Sequence, residues 1–194
     1  MLLEKNSFFI KEHVEILKLA GTYDILDPET SEQLAVAKEE PSGLVKLLKL
    51  FINKLMLPTK VSVYESNDLV FYIQKPLSFF RSKVSIFKSS GEYLGYFKSK
   101  VLTIGGGFYV FDAAERQIAE IKGNWAGWDF QFVGSDGQQI GTVNKKWAGA
   151  MKELFTSADN YLISLNPSVP QTPDSKMLLI AAGLAIDIIY KEQR

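Results

Sequence analysis

The sequence predicts a mainly β protein: a closed barrel of about twelve strands around a buried apolar C-terminal helix, with one amphipathic helix between strands. Three observations predict this architecture. Short segments of alternating apolar and polar residues recur along the chain, hairpin-like units repeat, and one apolar stretch near the C-terminus has helical length. The 194 residues suit one large domain, so we treat 1–194 as a single domain.

Period-2 alternation of apolar residues, rich in β-branched and aromatic side chains, predicts twelve strands. Turn residues separate them, for example Asp27-Pro28 and Asp136-Gly137. The predicted strands are 8–14, 22–26, 33–39, 61–65, 69–75, 82–88, 93–100, 107–112, 117–122, 128–133, 139–144 and 160–165.

Much of the strand region is an internal repeat. The segment 108–127 aligns without a gap on 130–149, an offset of 22 residues, and a weaker copy begins at Val84. Each copy reads as two short strands around a tight turn. Because one hairpin cannot bury its apolar face, several must share one core, as in a sandwich or barrel.

The apolar C-terminal stretch Met177–Tyr190 is interrupted only by Asp187, and Asp174 or Ser175 is placed to cap it. Fourteen residues make a helix of about 21 Å, short of the ~20 residues that a bilayer core requires. We therefore favour a buried helix over a membrane span. A closed sheet of about twelve strands leaves an axial space, and a helix ~10 Å wide fills it.

A second helix is predicted over Ser42–Leu57, with most of its circumference apolar. One interpretation is an amphipathic helix that lies in a membrane interface. The other, which we favour, is that its apolar face, including Leu47 and Phe51, covers the barrel wall. The candidate lipid contacts are its three lysines, Lys46, Lys49 and Lys54.

The composition excludes several classes of function. Lysine plus arginine equals aspartate plus glutamate, 22 each, so no net positive charge attracts a nucleic acid. The absence of cysteine excludes thiol catalysis and thiolate metal sites. The single histidine, His13, lies in a predicted strand, where we expect it half-exposed. We therefore expect no enzymatic activity.

The segments Ile140–Gly149 and Lys152–Tyr161 resemble the signature of the phospholipid scramblase family. Gly21–Ile25 and Gln74–Leu77 resemble two further segments of that family. The related LURP-one-related proteins share a tubby-like fold, a twelve-stranded barrel around a central C-terminal helix, and the resemblance implies that fold here. It also implies calcium-dependent, ATP-independent movement of phospholipids between leaflets. Tubby-like relatives instead bind phosphoinositides or act as regulatory modules.

The resemblance also implies a calcium loop over 157–168. Serines stand at both ends, Ser157 and Ser168, where the family has carboxylates. Asp159 and Asn160 remain as candidate calcium ligands, in a loop that lacks the family's glycine. Calcium takes six to eight oxygen ligands, usually with several carboxylates. We therefore expect these two residues to shape a turn, and we expect no calcium stabilisation and no other cofactor.

Two functions remain open at this point. The first is a non-enzymatic scramblase-like protein whose partner is a phospholipid or membrane surface. The alternative is a soluble tubby-like binding or regulatory module without scrambling activity. The sequence indicates no nucleic-acid partner and names no protein partner. Because Met1–Asn6 lacks the apolar core of a secretory signal, we expect a cytoplasmic protein with peripheral membrane contact.

Overall fold

A single antiparallel sheet of twelve strands closes on itself in the computed structural model. The structure describes residues 1–13, 20–48, 57–77, 83–100, 107–124, 128–145 and 160–191. The strands are β1 (Ser7–Glu12), β2 (Thr22–Leu26), β3 (Gln33–Glu39), β4 (Thr59–Glu65), β5 (Asp68–Lys75), β6 (Lys83–Lys88), β7 (Tyr93–Ser99), β8 (Gly107–Asp112), β9 (Gln117–Asn124), β10 (Asp129–Gly134), β11 (Gln139–Asn144) and β12 (Tyr161–Leu165). Two helices accompany them, α1 (Gly43–Leu48) and α2 (Pro173–Lys191).

All twelve predicted strands are confirmed, and so is the closed barrel. Each strand pairs with its neighbours in sequence, and β1 pairs with β12, for example Phe9 with Leu162. Closure leaves no unpaired sheet edge, which removes the usual site of edge-to-edge aggregation. A short 3₁₀ helix, Leu2–Glu4, precedes β1.

The antiparallel order gives the barrel two different ends. The β2–β3, β4–β5, β6–β7, β8–β9 and β10–β11 connections are short and lie together at what we call the turn end. The odd-numbered strands finish at the opposite end, which we call the loop end. The longer connections leave from the loop end.

The internal repeat is more extensive in the structure than in the sequence. All five hairpins that close at the turn end shift register by one residue just before the turn. Each of their turns contains a residue with positive φ: Ser31, Ser66, Gly91, Glu115 and Gly137. The extra residue of the bulge is aliphatic every time and packs on the core: Leu34, Val70, Leu94, Ile118 and Ile140. Bulges of this kind bend and twist a strand, which helps a sheet to close.

Helix α2 is buried inside the barrel, as the sequence predicted. Ile180, Ala181, Leu184 and Ile186 have no exposed surface. The helix packs on β5, β6, β7, β12 and the 3₁₀ helix. Among the described residues, no helix is long and apolar enough to cross a membrane.

The predicted start and cap of this helix were wrong. Helix α2 begins at Pro173 rather than Met177, and Thr172 caps it in place of Asp174 or Ser175. The Ser175 N–H donates to Thr172 Oγ1 at 3.1 Å, and the Thr172 N–H donates to Ser175 Oγ at 2.8 Å. Proline suits the first helical position because its φ is already helical and its missing N–H would have no partner there.

Helix α1 covers the first part of the predicted Ser42–Leu57 helix. The Ser42 hydroxyl accepts from the Val45 N–H at 3.3 Å, as an N-terminal cap. Residues 49–56 lie outside the described residues, and Leu57, buried, is not helical.

Asp27 ties the N-terminal segment to the first turn. Its carboxylate lies 2.7 Å from Lys5 Nζ and accepts from the backbone N–H of Glu29 at 2.8 Å. The hydrogen bond from Lys5, followed by that from the Glu29 N–H, lowers the pKa of Asp27 below its usual range.

We expect Asp27→Asn to lower the stability at neutral pH and to lose this effect in acid. A lowered folded-state pKa contributes stability that is present above the unfolded pKa, about 4, and lost as the pH falls through the folded value. Denaturation midpoints of both proteins, measured from about pH 7 to about pH 2, should therefore converge at the acid end. A constant difference across this range would show that the charge of Asp27 is not what stabilises the turn.

Candidate functional site

Three exposed leucines lie toward the loop end. Leu44, Leu47 and Leu77 are 68%, 57% and 57% exposed, whereas most large apolar side chains of the described residues are buried. We call these three side chains the leucine surface. Two of them are on α1, and Leu77 follows the loop end of β5. The prediction that the apolar face of this helix covers the barrel wall is therefore wrong for Leu47, which is exposed. Phe51 lies outside the described residues.

Helix α1 contacts the barrel through Val45, which is only 8% exposed. Val45 lines a groove of about 430 Å³ together with Lys60, Pro76 and Phe87, on the outer surface of β4 to β6. Leu44 and Leu47 are three residues apart and so share one helix face, turned away from this contact. This exposed apolar helix face is a candidate surface for contact with another apolar phase.

Charge is segregated along the barrel axis even though the net charge is zero. Among the described residues of the barrel, nine lysines lie in the half nearer the loop end: Lys11, Lys38, Lys60, Lys75, Lys83, Lys98, Lys100, Lys122 and Lys145. The acidic residues in that half are fewer: Glu12, Asp24, Glu39, Glu40, Glu120, Asp129 and the buried Asp187. The loop end therefore attracts anions although the whole chain has no net charge.

The turn end has the opposite character. Its acidic residues are Glu4, Asp27, Glu29, Glu32, Glu65, Asp68, Glu92, Asp112, Glu115, Asp136 and Asp174. Among the described residues, three of its basic side chains are paired with one of them: Lys5 with Asp27, Lys88 with Glu92 and Asp174, and Arg116 with Asp112. Lys176 instead donates to the Lys5 carbonyl oxygen at 3.0 Å. Zero net charge thus conceals a dipole whose positive end coincides with the leucine surface.

Several loop-end lysines lie over aromatic rings. Lys60 Nζ is 5.1 Å from the Tyr72 ring centroid, and Lys83 Nζ is 3.8 Å from that of Tyr96. Lys60 also pairs with Glu40 at 2.7 Å, and the Tyr64 hydroxyl donates to the same carboxylate at 2.6 Å. Burial opposes ionisation of Glu40, but these donors outweigh it and keep its pKa below the usual range.

The structure describes only some of the predicted site residues. Lys46 lies in α1, whereas Lys49, Lys54 and Asp159 are outside the described residues. Asn160 is buried, 3% exposed, immediately before β12. No group of three or more histidine, cysteine, aspartate or glutamate residues within the described ranges is arranged to hold a metal ion.

His13 follows β1 and is hydrogen-bonded to Asp24 of β2. Its Nε2 donates to Asp24 Oδ2 at 2.6 Å, and the Gln33 side-chain amide donates to the other oxygen of the same carboxylate at 2.8 Å. The ring is about two-fifths exposed. This arrangement links residues of β1, β2 and β3.

A buried polar cluster surrounds Asp187 near the loop end of α2. Asp187 has no exposed surface, and its carboxylate interacts electrostatically with the phenols of Tyr23 and Tyr161. Burial, and then the negative charge of Asp187, raise the pKa values of Tyr23 and Tyr161 well above the usual range. Both phenols therefore stay protonated. The sequence showed Asp187 as a break in the apolar run but not its interaction with Tyr23, which lies 164 residues away.

We expect Tyr23→Phe to destabilise the protein by about 1–3 kcal/mol, because it removes a polar hydroxyl that interacts with the buried Asp187 carboxylate. Tyr161→Phe provides the matched control. The Tyr161 hydroxyl is buried and makes no hydrogen bond within the described residues, so removing it should cost little. Urea denaturation measures both values, and equal losses would show that the Tyr23 hydroxyl stabilises Asp187 no more than the Tyr161 hydroxyl does.

Comparison with known proteins gives a consistent result along the whole chain. The family model for scramblases matches residues 1–193. A phospholipid scramblase family protein of Schizosaccharomyces pombe is 22% identical over 209 aligned positions, covering 98% of this chain and 55% of that protein. Human phospholipid scramblase 2 is 37% identical over 71 residues, covering 35% of this chain and 23% of that protein. The chain thus spans about half the length of the first of these relatives. No solved structure matches.

Proposed function

The chain belongs to the scramblase family, and we propose on that basis that it is a non-enzymatic protein that binds an anionic phospholipid surface through the loop end of its barrel. The leucine surface and the lysines lie on the same end, and this coincidence is the observation that carries the proposal. The proposed location is the cytoplasmic face of a membrane, where anionic lipids are concentrated.

Leucines and lysines contribute to such binding in different ways. Each leucine that leaves water for the interface contributes about 1.5–3 kcal/mol, independent of salt. Each lysine near an anionic surface contributes about 1 kcal/mol, and salt screens this contribution. We assign the apolar contribution to Leu44 and Leu47, and the charged one to Lys46, Lys49 and Lys54 together with the loop-end lysines of the strands.

The filled barrel favours a second candidate function, a membrane-bound module that does not itself move lipids. Helix α2 occupies the barrel axis, so the described residues leave no polar path for a headgroup through the interior. Reconstitution into vesicles with fluorescent lipid in both leaflets separates the two candidates. With a membrane-impermeant quencher added outside, rapid loss of the inner-leaflet signal as well as the outer supports phospholipid movement, and quenching limited to the outer leaflet supports the module.

We expect the double variant Leu44→Ser/Leu47→Ser to lose most flotation with anionic liposomes, because it removes the apolar contact with the interface. Its stability should change by no more than about 0.5 kcal/mol, since both side chains are exposed. The measurement is flotation at low and high salt, with a denaturation curve for each variant. Unchanged flotation would contradict the proposed surface.

Matched controls come from the same helix and from the turn end. Val45→Ser should lower the stability, because Val45 is buried against the barrel. Lys46→Glu/Lys49→Glu should weaken binding mainly at low salt, whereas Arg116→Glu, at an exposed site of the turn end, should have little effect. Calcium or a chelator should make no difference, given the serines at 157 and 168.

A further inference from the structure

An apolar cavity lies between α2 and one side of the barrel. It has a volume of about 290 Å³, and its wall is formed by β7 to β11 and the first half of the helix. Its apolar lining includes Phe97, Val110, Phe132, Leu179 and Ala182. The helix packs on β12 on one side and on β5 to β7 on the other, and the space lies between these two contacts, toward β8 to β11.

The cavity is built by small residues at positions where larger ones would fill it. Ala119 lines the barrel side and Ala182 the helix side. Protein interiors rarely keep spaces larger than one water molecule, and the cost of an apolar void increases with its volume. A retained space of this size therefore indicates an occupant.

The cavity opens at the turn end, and its mouth is polar. Ser135 and Asp136 of the β10–β11 turn and Ser175 of the first turn of α2 surround the opening. The bulged residues Ile118 and Ile140 stand between this mouth and the apolar interior. Among the described residues, no lysine or arginine lines the cavity. The leucine surface is toward the opposite end of the barrel, so this is a separate site.

We propose that the cavity binds the alkyl chain of a single-chain amphiphile, with a hydrogen-bond-donating head group, a hydroxyl or an ammonium, at Asp136 and the two serines. The volume is about twice that of a 150 Å³ cavity known to hold benzene, which gives room for a chain of roughly ten to twelve carbons. From Ser175 to Ala182 the cavity follows α2 for about 10 Å. A carboxylate head group would face the Asp136 carboxylate with no cation to balance the two negative charges. We therefore expect such a ligand to bind more weakly.

The test uses 1-decanol, decylamine and decanoate with the full chain in the absence of vesicles. One molecule of decanol should bind per chain, and at about 100 times its Kd it should raise the Tm by roughly 5–10 °C. Affinity should increase from hexanol to decanol and level off beyond about twelve carbons. Decanoate should bind more weakly than the other two, and Asp136→Asn should remove most of that difference.

Two variants fill the cavity from opposite sides. Ala182→Leu on the helix and Ala119→Val on the barrel should each reduce decanol affinity at least tenfold, and either one suffices if the other does not fold. Leu44→Ser/Leu47→Ser should bind decanol like the unmodified protein, which separates this site from the membrane surface. Absence of decanol binding to the unmodified chain, or binding unaffected by a folded cavity-filling variant, would overturn the proposal.

Discussion

Gly183→Phe is expected to destabilise the protein by at least about 3 kcal/mol, or to prevent folding, because the helix packs closely against the barrel wall at this position. A Cβ atom at Gly183 would lie 2.5 Å from Cδ1 and 3.0 Å from Cγ1 of Ile163 on β12, and 3.4 Å from the Tyr161 ring. A phenyl group has no space there unless the helix moves away from β12. Urea denaturation or thermal unfolding measures the effect.

Ala182→Phe is the matched control for this prediction. From the sequence, Gly183 and Ala182 were equivalent, since both belong to the buried helix. In the structure Ala182 borders the apolar cavity, so a phenyl group can enter that space. We therefore expect a clearly smaller loss than for Gly183→Phe. Two equal losses would show that the space beside Ala182 does not accommodate a phenyl group.

Gly95→Ala is the second large expected effect, a loss of several kcal/mol. Gly95 has a φ of 146°, and a Cβ atom there would overlap the carbonyl oxygen of Phe111 on β8. Both the backbone conformation and the close approach of β7 to β8 exclude a side chain. The neighbouring atom belongs to the backbone of a paired strand, so relief requires breaking the pairing of Gly95 with Asp112.

Gly91→Ala separates these two causes. Gly91 also has a positive φ, 86°, but nothing lies within 4 Å of its Cβ position. The change should therefore cost only about 1 kcal/mol, from backbone strain alone. If Gly91→Ala and Gly95→Ala cost the same, the close approach of β7 and β8 is not what requires glycine at position 95.

The barrel could be predicted from the sequence because each strand is indicated by its own few residues. Alternation of apolar residues and turn chemistry are short-range signals, and the extra aliphatic residue of each bulge still fits the apolar pattern. The sequence does not indicate the start of α2, because a proline before an apolar run is compatible both with a loop and with the first position of a helix, and Pro173 takes the second role.

The candidate site was harder to predict because it depends on which face of α1 meets the barrel. The apolar pattern of this segment is nearly continuous, so it did not indicate that Val45 would be buried and Leu47 exposed. The axial charge segregation is also invisible in the sequence. Acidic and basic residues are mixed along the chain. Only the antiparallel topology brings the lysines of successive strands to one end.

Thiol accessibility with and without anionic vesicles tests most directly the central claim, that α1 meets the membrane while α2 stays inside the barrel. The chain has no cysteine, so each single-cysteine variant reports one position. Leu47→Cys should react with a polar maleimide in buffer and be protected on vesicles. Ala181→Cys, at a position with no exposed surface, should be unreactive in both conditions. Reaction of Ala181→Cys only when vesicles are present, or unprotected Leu47→Cys on vesicle-bound protein, would contradict the account.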